Sequence, residues 1–445
     1  MKAAARPRLS ALSALSGTAS VRLSAMPDFF PDSAFEPAAR DAPLQLFPRL
    51  FVRIFMKAVV SSVSGNTRMY LFLFLLTLGS TIGLQGSSLL YTNYSVEVGG
   101  FTAADNGLVV ALREVPGFLC FLVVPLMLLM REHRLCVLSV ILCGAGTAVI
   151  GLFTSFTGIA AAVFVMSAGY HFFETINQSL MIQYYDLSST PIVMGRMRGL
   201  AAGGSLAVSL LVFFGAGHLS YETMFALMGL TVVALGAACL FFDPSSPKVA
   251  PQKKGMVFSG KYWLFYALTL LMGGRRQIFT VFSLFLLVEK FGFSVRTVAV
   301  LYMVNYAVNW FFNPLIGRII NRIGERRLLT IEYTSAFFIF LGYAWTDSAY
   351  LAGIMYVLDS LTFNFAIAVR TFFQKIADPS DIAPSMGLAQ TINHIAAVLI
   401  PPLGGWLWIT FGYQLPFYCG MGLTVLSLLL IQFMDREIAK AEKRA

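Results

Sequence analysis

Residues 68–92 read RMYLFLFLLTLGSTIGLQGSSLLYT, a long apolar run with one charge, Arg68, at its edge. A bilayer core about 30 Å thick needs about 20 mostly apolar residues to be crossed as a helix, and this stretch meets that need. The pattern recurs at 103–130, 135–154, 158–185, 195–217, 222–242, 261–290, 294–316, 328–346, 348–376, 385–409 and 414–434. Twelve transmembrane helices are therefore predicted, and the expected fold class is an all-α membrane protein. Connections as short as Ser155-Phe156-Thr157 make neighbouring helices antiparallel hairpins. Of the 445 residues, 57% are hydrophobic and 12% charged, against about 25% charge in soluble domains. A soluble enzyme or binding module is excluded. Cys120, Cys136, Cys143, Cys239 and Cys419 all lie in apolar runs without CxxC spacing, so neither a disulfide framework nor a zinc site is expected.

The net charge of +10 acquires its meaning from where the charges fall. With the N-terminus inside, 26 of the 32 Lys and Arg lie in inside segments, and only Lys290 and Arg296 lie outside. The positive-inside rule then places both termini in the cytoplasm, with a bacterial-type inner membrane as the expected location. The basic balance is topological, and nucleic acid is not an expected partner.

The two sets of six spans read as copies displaced by 192 positions. Gly100-Phe101-Thr102 matches Gly292-Phe293-Ser294, Met194-Gly195 matches Met386-Gly387, Asp186 matches Asp378, and Arg134 matches Arg326. The expected organisation is an extension (1–67), a six-helix bundle (68–242), a Pro- and Lys-rich cytoplasmic linker (243–260), a second six-helix bundle (261–434) and a tail (435–445). Two such halves rocking about a midplane site are a transporter architecture. The extension reads as disordered, with an amphipathic interfacial helix at 44–60, unless translation begins at Met56.

The loop after span eight, Gly317-Arg318-x-x-Asn321-Arg322-x-Gly324-x-Arg326-Arg327, resembles the short basic loop motif of the major facilitator superfamily, with Asn321 where an acid is usual. The resemblance implies two pseudo-symmetric six-helix bundles, alternating access, and a latch built from Gly317, Asn321, Arg322, Gly324 and Arg326. The first half lacks the motif: the offset positions are Pro125, Leu129, Met130 and Glu132, and only Arg134 survives. Pro401-x-x-Gly404-Gly405 is similar to the end of an antiporter motif that the family carries in span five. The span-four arginine of drug/proton antiporters is absent.

A charge at the bilayer centre costs about 2.5–3.5 kcal/mol on insertion scales, so the charges kept within spans need a reason. The resembled fold lines its cavity with spans one, four, seven and ten. Span four carries Ser167, His171, Glu174 and Gln178 at helical spacing, and span ten carries Asp359, Thr362 and Arg370. On span seven, Thr269, Arg276, Thr280 and Ser283 form a face, while Arg275 points about 100° away, among Leu268, Phe279 and Phe282. Span one offers Thr77, Thr81, Gln85 and Ser88. Arg113 and Glu114 are adjacent on span two, so at least one packs against another helix. The Asn305, Asn309, Asn313 stripe reads as interhelical glue, and lone His394 as packing.

Arginine is a permanently charged fork suited to carboxylate or phosphate. The expected substrate-binding residues are Arg276, Arg275, Arg113, Gln85 and Gln178, around a small organic anion. Glu174, Asp359 and His171 are the expected proton-coupling residues, which makes the chain a proton-linked symporter. An exporter of amphipathic drugs or lipids is the alternative, and a transporter-like receptor or membrane-embedded enzyme the second. No nucleophile–base pair, phosphate-cradling loop or metal cluster is recognisable. The chain is expected not to be an enzyme, to need no cofactor or metal, and to work as a monomer with the bilayer, a small molecule and protons as its partners.

Overall fold

A computed structural model of the chain describes residues 66–215, 218–293 and 295–444. The proposed helix at 44–60 lies outside the described residues. Those residues form twelve long helices: α1 (Thr67–Glu97), α2 (Ala103–Phe118, running on through a 3-10 turn to Leu126), α3 (Glu132–Ile150), α4 (Phe156–Tyr184), α5 (Ser189–Gly215) and α6 (Tyr221–Leu240). The second set is α7 (Trp263–Gln277, running on through a π-helical turn at Ile278–Ser283 to Glu289), α8 (Val295–Ile323), α9 (Glu325–Trp345), α10 (Ala349–Phe363, running on to Ile376), α11 (Ile382–Phe411) and α12 (Gln414–Leu430, running on to Glu442).

Short polar side chains start many of these helices. Asn66, Ser155, Ser220 and Ser348 each accept a hydrogen bond from a backbone N–H three residues on, and Thr102 forms a reciprocal capping box with Asp105. Such caps satisfy N–H groups that the first turn leaves unpaired. Two expected boundaries move substantially. The eighth helix runs on to Ile323 rather than ending at 316, so Gly317, Asn321 and Arg322 lie in its last turns. The fifth helix begins at Ser189 rather than at 195, because the Asp186 carboxylate and carbonyl accept from the N–H groups of Ser189 and Thr190 and start the helix early. Arg196 and Arg198, at the inner edge of the expected span, thereby lie about two turns inside the helix.

Eleven helices are long and apolar enough to cross a membrane. The remaining one, α8, has the length (29 residues) but carries the asparagine stripe. Asn305, Asn309 and Asn313 are buried, and Asn309 hydrogen-bonds to Ser360 and Asn364 of α10 at 3.0 and 2.9 Å. The stripe therefore faces protein, as expected of interhelical glue.

The packing repeats with an offset of six helices. α3 lies against α4 and α6, as α9 lies against α10 and α12; α1 lies against α5 and α6, as α7 lies against α11 and α12. The halves are joined by α5 with α8 and by α11 with α2 and α4, and α10 also touches α4 and α5. The turns repeat too. Gly100 and Gly292 share a φ of +65°, and the hydrogen bonds Phe101 N–H to Ser95 and Phe293 N–H to Leu287 are 192 positions apart. Glycine takes this left-handed conformation without steric cost, which ends both helices in the same way.

Candidate functional site

The two halves meet around a polar group drawn from α4, α5, α7 and α10. Arg276 of α7 is partly buried, its Nε has no hydrogen-bond partner, and it forms no ion pair among the described residues. The charges of Arg276 and Glu174 reach both Arg198 of α5 and Arg370 of α10, and Tyr170 stands in the same field. Arg198 is held by Asn364 at 2.8 Å, and Arg370 donates from Nε to Gln178. Gln178 donates in turn to Glu174 at 3.1 Å, and Gln390 of α11 reaches the other Glu174 oxygen at 3.3 Å. Gln178, Arg370, Gln390, Thr269 and Asn393 line one recess between these helices. Three arginines and Glu174 share the neighbourhood, and the charge of Glu332 on α9 also reaches Arg198.

Arg275, beside Arg276 in sequence, is 1% exposed and faces the other way. It is paired with Glu332 of α9 and lies 3.5 Å from Asp359 of α10, with the Phe363 ring 4.9 Å from its guanidinium. Glu332 and Asp359 are both fully buried. Arg275 and Asp359, expected as separate parts of a cavity, thus belong to one ion cluster behind it. Glu332 is a member that the sequence reading overlooked, although a carboxylate inside a span was the available signal.

The expected polar face of α7 does not hold along its length. Thr269 and Ser283 are buried, whereas Thr280 is exposed. The π-helical turn between Ile278 and Ser283 closes its hydrogen bonds one residue further along than an α-helix, so positions beyond it fall behind the 3.6-residue wheel.

The other expected residues find these places. Arg113 lines a second recess with Ser87, Ser88 and Tyr91 and lies 3.5 Å from its neighbour Glu114. Glu114 packs against α11, 3.4 Å from His394. His171 stacks edge-on to His394 with ring centroids 4.6 Å apart. Gln85 accepts from Tyr306 of α8 at 3.0 Å and points its amide at Ser209. In the loop motif, Gly317 sits against the Pro191 carbonyl, where α5 and α8 cross. Gly324 supplies the turn with φ +82°. Arg326 pairs with Asp435 of its own half at 2.7 Å, and Arg322 is exposed. The link to the other half is made by Asn321, which donates to the Ser188 carbonyl at 2.6 Å.

Apart from Gln85–Tyr306, these cross-half bonds lie between the middle of the helices and the side where residues 66 and 444 are found. The Gln374 amide adds two more there, to the carbonyls of Ile182 and Tyr185 at 2.8 and 2.7 Å.

The chain matches the family described as Major Facilitator Superfamily over residues 58–381 and belongs to it. It is a membrane transporter of this fold. The human MFS-type transporter SLC18B1 is 33% identical over 61 residues, and its rat counterpart (Rattus norvegicus) 34% over the same length. These matches span 14% of this chain and 13% of the relatives' own length. Among solved structures, the human organic anion transporter MFSD10 (TETRAN) has a TM-score of 0.67 at 14% identity, covering 83% of this chain and 100% of that one. FucP in the outward conformation gives 0.66 at 12%, with 82% and 98% covered. A bacterial homologue of the iron transporter ferroportin in an outward-facing state gives 0.67 at 13%, with 83% and 99% covered. At these identities the likeness is one of fold.

Proposed function

We propose that the chain is a proton-linked transporter of a small organic anion, working by alternating access as a monomer in a bacterial-type inner membrane with both termini cytoplasmic. Halves 68–242 and 261–434 rock against each other about the linker 243–260. The observation that carries this reading is Arg276, an intramembrane arginine without an anionic partner among the described residues, whose charge reaches Arg198 and Arg370. A guanidinium kept in such a place is suited to a carboxylate or phosphate that arrives with the substrate. Gln178 and, from their own recesses, Arg113 and Gln85 complete the polar lining. The fold likeness to a protein described as a human organic anion transporter accords with this substrate class.

Proton coupling follows from charge balance. Glu174 shares its surroundings with the three arginines, and an anion bound among them competes with it for their charge. Glu174 then accepts a proton, with His171 one turn away. In the second half, Arg275 faces two buried carboxyl groups, Glu332 and Asp359. Uncompensated charge is costly at such depth, and one proton shared by the pair restores neutrality. Both sites change partners only if the helices move. In proteoliposomes, Arg276→Gln abolishes anion uptake, and Glu174→Gln or Asp359→Asn uncouples uptake from the pH gradient. Full uptake by Arg276→Gln would overturn the reading.

A further inference from the structure

Glu114, His171 and His394 come from α2, α4 and α11, and so from both halves of the chain. One carboxylate oxygen and one nitrogen of each imidazole all lie within 4.8 Å of one another. Both rings are buried, and the Nδ1 atom of each has no hydrogen-bond partner. The contact from His394 Nδ1 to Glu114 Oε2 is 3.4 Å. That is long for a hydrogen bond but matches the edge of a tetrahedron whose N and O corners stand about 2.0–2.1 Å from a central ion. Buried imidazole nitrogens without partners are costly, and an ion among the three groups satisfies them together. The ring of His394 fits because residue 117 is glycine; a Cβ there would collide with it.

The surroundings are those of a ligand set held in place. Gln390 Nε2 stands 3.3 Å from His394 Nε2 and 3.3 Å from Glu174, and Arg113 lies 3.5 Å from the other Glu114 oxygen. Outer partners of this kind fix ligand orientation. The charges of Arg113 and Arg276 also reach His171. They oppose a cation, whereas Glu114 and Glu174 favour one.

We propose that Glu114, His171 and His394 bind one divalent first-row transition-metal ion at the junction of the halves. Two imidazoles and a carboxylate suit zinc, cobalt(II), iron(II) or manganese, whereas calcium and magnesium take oxygen ligands. Three protein ligands leave a further coordination position open. Because His394 belongs to one half and its two partners to the other, the ion binds the arrangement in which α11 meets α2 and α4. Occupancy favours that state over one with the helices apart and slows turnover.

The test uses untagged full-length protein, stripped with EDTA and titrated with Zn²⁺ and, for its absorption spectrum, with Co²⁺. The expected result is one ion per chain, a cobalt spectrum without thiolate charge-transfer bands, and at least a tenfold loss of affinity in His171→Asn and in His394→Asn. The chain has 4 histidines, so the double variant His133→Asn/His218→Asn is the control and retains binding. Glu114→Gln is a further variant of conserved shape, and melting without metal verifies that each protein is folded. Absence of stoichiometric binding, or binding unchanged by all three substitutions, overturns the proposal. Since the readout is metal binding, either result leaves the anion reading to its own test.

Discussion

Gln178 accepts a hydrogen bond from Arg370, its own counterpart 192 positions along the chain. The same offset separates Gln374 from Ile182, whose carbonyl it bonds at 2.8 Å. A residue meets its own repeat partner only close to the axis that relates the two copies. That axis therefore passes between α4 and α10 on the side of the described chain ends, where the halves are joined. The arginine cluster draws on both halves, Arg198 from the first and Arg276 and Arg370 from the second.

Arg276 is the first place to perturb this arrangement. A hydrogen bond to a charged group is worth about 1.5–3 kcal/mol net, which corresponds to roughly a 10- to 100-fold change in affinity. Arg276→Gln is expected to weaken anion binding by that factor in a thermal-shift titration, where ligand binding to the folded state raises stability. Arg198→Gln is expected to weaken it as well, although less, because Asn364 already occupies part of that guanidinium.

The ion cluster behind the cavity makes an asymmetric prediction. Asp359→Asn leaves Arg275 with Glu332, and Glu332→Gln leaves it with Asp359, so each single variant keeps one charge pair. The double variant leaves a buried arginine unpaired, at a cost of about 3–5 kcal/mol. Thermal melting in detergent is expected to show small losses for the singles and a collapse for the double. A full loss in either single variant would contradict this account.

The paired glycines of α11 are not equivalent. A Cβ on Gly404 would run into the Phe282 ring of α7, whereas one on Gly405 meets nothing within 4 Å. Gly404→Ala is expected to cost about 1–3 kcal/mol through overpacking. Gly405→Ala should stay within about 0.5 kcal/mol of the parent. Parallel melting curves separate the two.

Asn321 gives the loop motif a different bond from the one its usual acid makes. Its amide donates to the Ser188 carbonyl, and an ionised aspartate has no proton to donate. Asn321→Asp, although it restores the commoner residue, is expected to loosen this end. Losing a bond worth about 0.5–1.5 kcal/mol should raise hydrogen exchange at residues 186–190 by about two- to tenfold, and unchanged exchange would refute the latch.

Much of the fold was legible because apolar length is a strong signal and turn glycines are unambiguous; Gly100 and Gly292 mark the repeat in the sequence and in the backbone alike. The site was legible only in part. Arg198, at the inner edge of the expected span 195–217, counted only toward the topology because the polar run Ser188-Ser189-Thr190-Pro191 hides a helix start. Glu332 lies five residues past Arg327, close to the start of the expected span 328–346, and was passed over although it is fully buried. Glu114, His171 and His394 are far apart in the chain and form no spaced motif. Helical-wheel reasoning served α4, where Ser167, His171 and Gln178 all face inward, and failed on α7 past Gln277.

That failure on α7 has a mechanical side. The wide turn at Ile278–Ser283 sits between the part of the helix that carries Arg275 and Arg276 and the part that carries the exposed Phe285 and Val288. A π turn holds one residue more than an α turn, so the span contains a length of slack at its own midpoint. Its two ends need not turn together. A roll of one end relative to the other is therefore taken up at this turn, where the hydrogen-bond register changes.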